Sequence, residues 1–189
     1  AEARAAIRGR LAERGLARDE PYIVVGAHAR WPTKQWPPER FARVLDEMHR
    51  ETGARAVLVG SADAVANART IAGRMRERPI DLTNRTTLKE LVAVIAEARV
   101  MATNDSGPMH VAAAVGTPVV AIFGPTNPAR TGPYGPGHRV LRGRAACSPC
   151  YRRECLYGGE TAALLCLTNI TADAVTEQLL AAWREADTD

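Results

Sequence analysis

The sequence has no apolar run near the ~20 residues that a membrane-crossing helix needs, no internal repeat and no low-complexity tract. A helical membrane span, a solenoid and a biased tail are therefore not what these residues encode. Charge of one sign is also scarce, with 25 Lys and Arg against 21 Asp and Glu for a formal net charge of +4. That tilt suits an anionic ligand or an acidic membrane surface and is too weak to indicate nucleic acid. Cysteine is missing from most of the chain, because all four residues lie between Cys147 and Cys166. Such crowding marks one local feature rather than a disulfide framework spread across a secreted fold.

What is present is a globular composition, 46% hydrophobic and 24% charged over 189 residues, the size of one ordinary domain. The opening stretch, AEARAAIRGRLAERGLARDE, lacks an initiating Met and the apolar core of a signal peptide. It reads as an Arg-rich helix ending near Gly15, a leading helix or linker over 1–19, and suits a fragment of something longer. Apolar and helical segments then alternate. Short β-rich runs occupy 22–26, 55–60, 79–83, 99–104 and 118–124, with 139–141 as an edge. Between them, 38–53 carries Phe41, Val44, Leu45 and Met48 at helical spacing and stops at Gly53. A helix over 63–75 follows, then one that Thr87 and Glu90 open at capping-box spacing, then a brief one after Gly107. An amphipathic helix from Thr171 closes the chain. This alternation predicts an α/β fold, a Rossmann-like doubly wound parallel sheet over 20–189.

Ligands bind such sheets beyond the carboxyl ends of the strands. Three polar loops leave those ends: Gly26–Pro37, the stretch holding Ser61 and Asp63, and Asn104-Asp105-Ser106-Gly107-Pro108. In the last, Gly107 permits a close backbone approach and Pro108 suits the first helical turn, where no amide donor is needed. The following helix would aim free N–H groups and its positive dipole end at an anion, with Ser106 adding a hydroxyl. Asp105 would repel a phosphate unless it faces a sugar or caps the helix. Lys34, between Trp31 and Trp36, reads as a point charge beside an apolar wall, suited to a diphosphate. Taken singly, each residue has a plainer role: a helix cap, a solvated lysine, a packed His110, two core tryptophans.

Together, RWPTKQWPPERFA, TLKELVAVIAEARVMATNDSGPMHVAAAVGTPVVAIFGPTNPARTGPYGP and CSPCYRREC resemble glycosyltransferase family 9, the ADP-heptose:lipopolysaccharide heptosyltransferases. The resemblance runs in order over roughly 20–184. It implies one half of a GT-B fold, the carboxyl-terminal half that binds the nucleotide-sugar donor. By resemblance Lys34 contacts the donor's phosphates or sugar, and the backbone of Ala29 and Arg30 lines the same site. Asp105, Ser106, Gly107 and Pro108 hold heptose and diphosphate, with His110 behind them, and Thr86 and Thr87 border the adenine. Asp63 is an approximate candidate for the ribose carboxylate. The strand before the first loop reads Val24-Val25-Gly26 where the family commonly has His-Pro-Gly.

The resemblance further implies inverting transfer of heptose from an ADP-sugar to a lipopolysaccharide-type inner-core acceptor. No cofactor is required for that transfer and no nucleic acid takes part. The acceptor site and general base belong to an amino-terminal domain that these residues do not supply, so no catalytic residue is assigned and the chain alone is expected to be inactive. Location in the cytoplasm, with peripheral contact at the inner face of the inner membrane, follows from the same resemblance. Two alternatives stay open: a GT-B transferase using another nucleotide sugar, and a stand-alone nucleotide-binding module without catalysis. Cys147, Cys150, Cys155 and Cys166, in a Cys-rich loop over 145–167, open with a C-x2-C pair of zinc-ligand spacing. A structural zinc site and four packed thiols are both consistent with that pattern.

Overall fold

Runs such as Tyr22–Gly26 and Val119–Phe123 carry no alternation of apolar and polar residues, so they need cover on both faces. The computed structural model describes residues 2–157 and 164–186 and provides that cover. Strands β1 (Tyr22–Gly26), β2 (Arg55–Leu58), β3 (Ile80–Asp81), β4 (Val100–Asn104), β5 (Val119–Phe123) and β6 (Arg139–Arg142) form one sheet. Its order is β3-β2-β1-β4-β5-β6 and every neighbouring pair is parallel. The helices are α1 (Glu2–Ala12), α2 (Pro38–Thr52), α3 (Val65–Arg74), α4 (Leu88–Ala96), α5 (Gly107–Ala114), α6 (Pro128–Thr131), α7 (Leu165–Thr168) and α8 (Ala172–Glu185). Among the described residues no helix is long and apolar enough to cross a membrane.

Successive strand residues point to opposite faces, so β1 feeds two separate cores. Ile23 and Val25 join Phe41, Leu45 and Met48 of α2, Ile71 of α3 and Leu179 and Trp183 of α8. Tyr22 and Val24 join Ile7 and Leu11 of α1, Val94 and Ile95 of α4 and Met109 and Ala112 of α5. Trp36, fully buried, meets the Phe41 ring edge-on at 4.9 Å and donates its Nε1–H to the Ile170 carbonyl. The leading helix is packed rather than free, with Ile7 and Leu11 buried against the α4 side and Arg8 paired with Glu97.

The helix ends follow local chemistry. Gly53 stops α2 at φ +71°, a conformation that only glycine adopts without strain. Thr87 and Glu90 form a complete capping box at the start of α4. Three short elements go beyond the sequence reading: a 3-10 turn at Pro32–Lys34, α6 and α7. Of the Cys-rich loop expected over 145–167, positions 158–163 lie outside the described residues, as do the last three residues of the 20–189 domain.

Candidate functional site

Strand order reverses between β1 and β4, because β2 and β3 continue outward from β1 while β5 and β6 continue outward from β4. At such a point the following loops turn away from each other and leave a crevice at the carboxyl edge. Gly26, the last residue of β1, has no room for a side chain against β4: a Cβ there would lie 2.9 Å from both Met101 Cε and Thr103 Oγ1. A cleft of about 530 Å³ occupies this place. Its walls come from the loop after β1, the turn after β2 and the mouth of α5.

Two loops build the cleft's charged end, and Asn104 fastens them together. Its Oδ1 accepts from the Trp36 amide at 3.1 Å and its Nδ2 donates to the Ala27 carbonyl at 2.9 Å. With Asn104 fixed and fully buried, Asp105 falls beneath the 3-10 turn carrying Lys34. Lys34 Nζ stands 2.7 Å from Asp105 Oδ2, and the Thr126 hydroxyl donates to the same oxygen at 2.6 Å. Among the described residues no donor meets Oδ1. The Lys34 ammonium also lies 4.5 Å from the centre of the Trp31 ring, a cation–π contact. Asp105 is 5% exposed and Lys34 16%, so the pair is largely desolvated yet opens onto the cleft.

The mouth of α5 completes that end. Ser106 occupies the N-cap position but its side chain caps nothing; its hydroxyl lies 3.2 Å from Thr103 Oγ1. The amino end of α5, at Gly107 and Pro108, faces the cleft with no side-chain cap among the described residues. Of the residues expected from sequence, Ala29, Arg30, Lys34, Asp63, Asp105, Ser106, Gly107, Pro108 and His110 all line this one cleft. Ala29 is buried and contributes backbone, its carbonyl held by Gln35 Nε2 at 2.8 Å, whereas Arg30, Asp63 and His110 stand exposed at the rim. Thr86 and Thr87 do not line it. They sit in the turn before α4, where the Thr87 hydroxyl is engaged by the capping box and the neighbouring Leu88 is 71% exposed.

Sequence reasoning passed over Thr126, Asn104 and His28. Thr126 follows β5, and only knowledge that β5 lies beside β4 would place it next to Asp105. The Cys-rich loop, expected as a metal site to be pinned against the closing helix and to lie away from the donor loops, instead packs against the loop that carries Lys34. Thr33 donates to the Arg152 carbonyl at 2.7 Å, and the Arg153 guanidinium lies 5.3 Å from the Trp31 ring centre. Ser148 donates to the Gly124 carbonyl and the Tyr151 amide to the Pro125 carbonyl, which ties the loop to the end of β5.

The four cysteines converge on one apolar pocket of about 220 Å³, which Cys147, Cys150, Cys155 and Cys166 all line. None is in a disulfide. Burial, followed by the nearby thiols of Cys147, Cys150 and Cys155, pushes the Cys166 thiol up to about 11. Among the described residues no three His, Cys, Asp or Glu side chains are placed as a ready-made metal ligand set.

The model of glycosyltransferase family 9 (heptosyltransferase) matches residues 2–160. Lipopolysaccharide heptosyltransferase 1 of Pseudomonas aeruginosa is 36% identical over 138 residues, which cover 72% of this chain and 38% of that protein. Lipopolysaccharide heptosyltransferase 2 of Escherichia coli K12 is 38% identical over 115 residues, 59% of this chain and 33% of that one. A glycosyl transferase family 9 crystal structure from Veillonella parvula superposes with a TM-score of 0.85 at 29% identity, covering 98% of this chain and 52% of that one. The E. coli ADP-heptose LPS heptosyltransferase II structure gives 0.78 at 28% identity, covering 96% and 52%. The fold is thus that of one half of a GT-B glycosyltransferase. The chain spans about half the length of these solved relatives and 38% or less of these curated ones.

Proposed function

This chain belongs to glycosyltransferase family 9, the heptosyltransferases, and we propose that it is the donor-binding half of an inverting glycosyltransferase. Its donor is ADP-heptose and its acceptor a lipopolysaccharide inner core. The observation that carries the proposal is the Lys34–Asp105 pair at the mouth of α5 in the switch-point cleft. A nucleotide sugar presents a dianionic diphosphate next to a polyhydroxylated ring, and this cleft end offers one charge of each kind side by side. Lys34, the Ser106 hydroxyl and the amino end of α5 take the diphosphate. Asp105, with Oδ1 open, accepts from sugar hydroxyls.

The chemistry follows from that placement. When the bond between the anomeric carbon and the diphosphate breaks, negative charge grows on the leaving oxygen, which Lys34 and the α5 dipole stabilise where it appears. Asp105 fixes the ring so that its anomeric carbon faces out of the cleft. The acceptor hydroxyl and the base that deprotonates it lie on the other half of the GT-B enzyme, which works in the cytoplasm at the inner face of the membrane. Thr86, Thr87 and the exposed Leu88 border the adenine. Cys147, Cys150, Cys155 and Cys166, which line one pocket, are the residues that would hold a structural zinc, and such an ion would pin the Cys-rich loop without touching the transferred sugar.

Calorimetric titration of the 189-residue chain with ADP-, UDP- and GDP-sugars tests the donor assignment. ADP-heptose should bind and the other two families should bind at least tenfold more weakly. Lys34→Ala should cost about 1.5–3 kcal/mol of that affinity, the size of a charge-assisted contact. Preference for a UDP- or GDP-sugar, or an unchanged affinity in the Lys34 variant, would remove this reading.

A further inference from the structure

Two short segments reach Asp105, and each begins in the pocket of the four thiols. Thr33 and Pro125 line that pocket together with Cys147, Cys150, Cys155 and Cys166. The residue after each of them, Lys34 or Thr126, donates to the same Asp105 oxygen, Oδ2, at 2.7 and 2.6 Å respectively. Pro32–Lys34 is a 3-10 turn, in which successive side chains diverge by about a third of a turn. Thr33 thus faces the thiols while Lys34 faces the cleft.

The Cys-rich loop grips both segments. On the first, the buried Thr33 hydroxyl donates to the Arg152 carbonyl at 2.7 Å. The Trp31 ring that Lys34 leans on at 4.5 Å also receives the Arg153 guanidinium at 5.3 Å. On the second, the Ser148 hydroxyl donates to the Gly124 carbonyl at 2.7 Å and the Tyr151 amide to the Pro125 carbonyl at 2.9 Å. A Cβ on Gly124 would meet Cys166 Sγ at 3.2 Å, so one of the thiols packs close against the backbone that leads to Thr126.

A carboxylate with one oxygen pinned by two donors turns only by breaking one of those bonds. The two segments therefore fix where Oδ1 of Asp105 points, and both are fixed in turn by the loop that carries the thiols.

We propose that Thr33 and Thr126 are positioning residues of the donor site and that the Cys-rich loop acts through them, so that a change at the thiols alters the affinity for a nucleotide sugar without touching it. This rests on the donor-binding function proposed above and adds a control on that site. The two residues have different signatures. Thr33 holds the turn of Lys34, which serves the diphosphate, and so bears on ADP and ADP-heptose alike. Thr126 holds Asp105, which serves the sugar, and so bears on ADP-heptose alone.

Calorimetry of the 189-residue chain with ADP and with ADP-heptose, well below each variant's melting temperature, tests this. Thr33→Val should weaken both ligands about five- to tenfold, the worth of one hydrogen bond. Thr126→Val should weaken ADP-heptose by as much and leave ADP nearly unchanged. Thr33→Ser and Thr126→Ser, which keep the hydroxyl, should restore affinity. Cys150→Ser with Cys155→Ser should weaken ADP-heptose in the wild-type background and add little once both threonines are valine, because the route is already cut. Full affinity in either valine variant, failure of serine to restore it, equal loss of the two ligands with Thr126→Val, or a thiol effect that simply adds to the threonine effects overturns the proposal and leaves donor binding standing. If the paired cysteine variant does not fold, the valine and serine variants decide alone. A wild-type chain that binds neither ligand removes the donor-binding function itself.

Discussion

Lys34 and Asp105 neutralise each other at 2.7 Å in surroundings that shield them from water, and this couples the site to the stability of the fold. Removing either partner strands the other's charge, a penalty distinct from the worth of the pair itself. Lys34→Ala and Asp105→Ala should each cost about 2 kcal/mol in chemical denaturation. The double variant should cost clearly less than their sum, because no lone charge is left behind. Additive losses would mean that the two side chains do not meet in solution. Ligand affinity should separate their roles: Asp105→Asn should weaken ADP-heptose more than ADP, since its partner is the sugar. Equal weakening of the two ligands would remove that role. Both residues were legible in the sequence as site candidates, but their mutual contact was not. A loop after the first strand and a loop after the fourth meet only once the strand order is known.

At the level of elements, the capping box of α4 and the Cys-rich loop make separate predictions. Thr87→Ala removes the cap and should cost about 1 kcal/mol of stability. Glu90 is held below the usual carboxylate range, first by the Thr87 amide, then by the side chains of Arg10 and Thr87. A lowered carboxylate contributes stability that is present above its unfolded value of 4.5 and is lost as pH falls through the lower folded value. Glu90→Gln should accordingly flatten the acid limb of a stability–pH curve, and a wild-type limb would show that the contact is not made. The six strands were readable because their apolar runs are bounded by turn residues. The four-residue α6 and α7 were not, since one helical turn leaves no periodicity to detect. The Cys-rich loop was readable as a cluster but not as a neighbour of Trp31 and Thr33, which its arginines reach through tertiary contacts alone. Elemental analysis of chain purified without added metal decides between a structural zinc and packed thiols: a metal site gives one zinc and thiols that resist titration until the protein is denatured with chelator. Four freely titrating thiols and no metal would leave packing as the explanation of the cluster.

Over the whole molecule, one edge of a single sheet carries everything assigned to the donor. Lys34, Asp105 and Ser106 open onto one cleft from the β1, β2 and α5 side. The groups there that could act as a base are poorly placed to do so. Asp105 already accepts from Lys34 and Thr126, the Nδ1 of His28 is buried, and Asp63 and His110 stand exposed at the rim with no hydrogen bond to orient them among the described residues. An acceptor hydroxyl needs both a positioned base and a surface that holds it in line with the anomeric carbon, and positioning of this kind is worth many orders of magnitude in rate. The purified 189-residue chain should therefore bind ADP and ADP-heptose yet transfer no heptose to a lipopolysaccharide acceptor, read as a mass shift of the acceptor glycan. Binding without transfer is what a donor half does. Measurable transfer by this chain would mean that one of its own residues serves as the base, with Asp63 and His110 the first to be substituted.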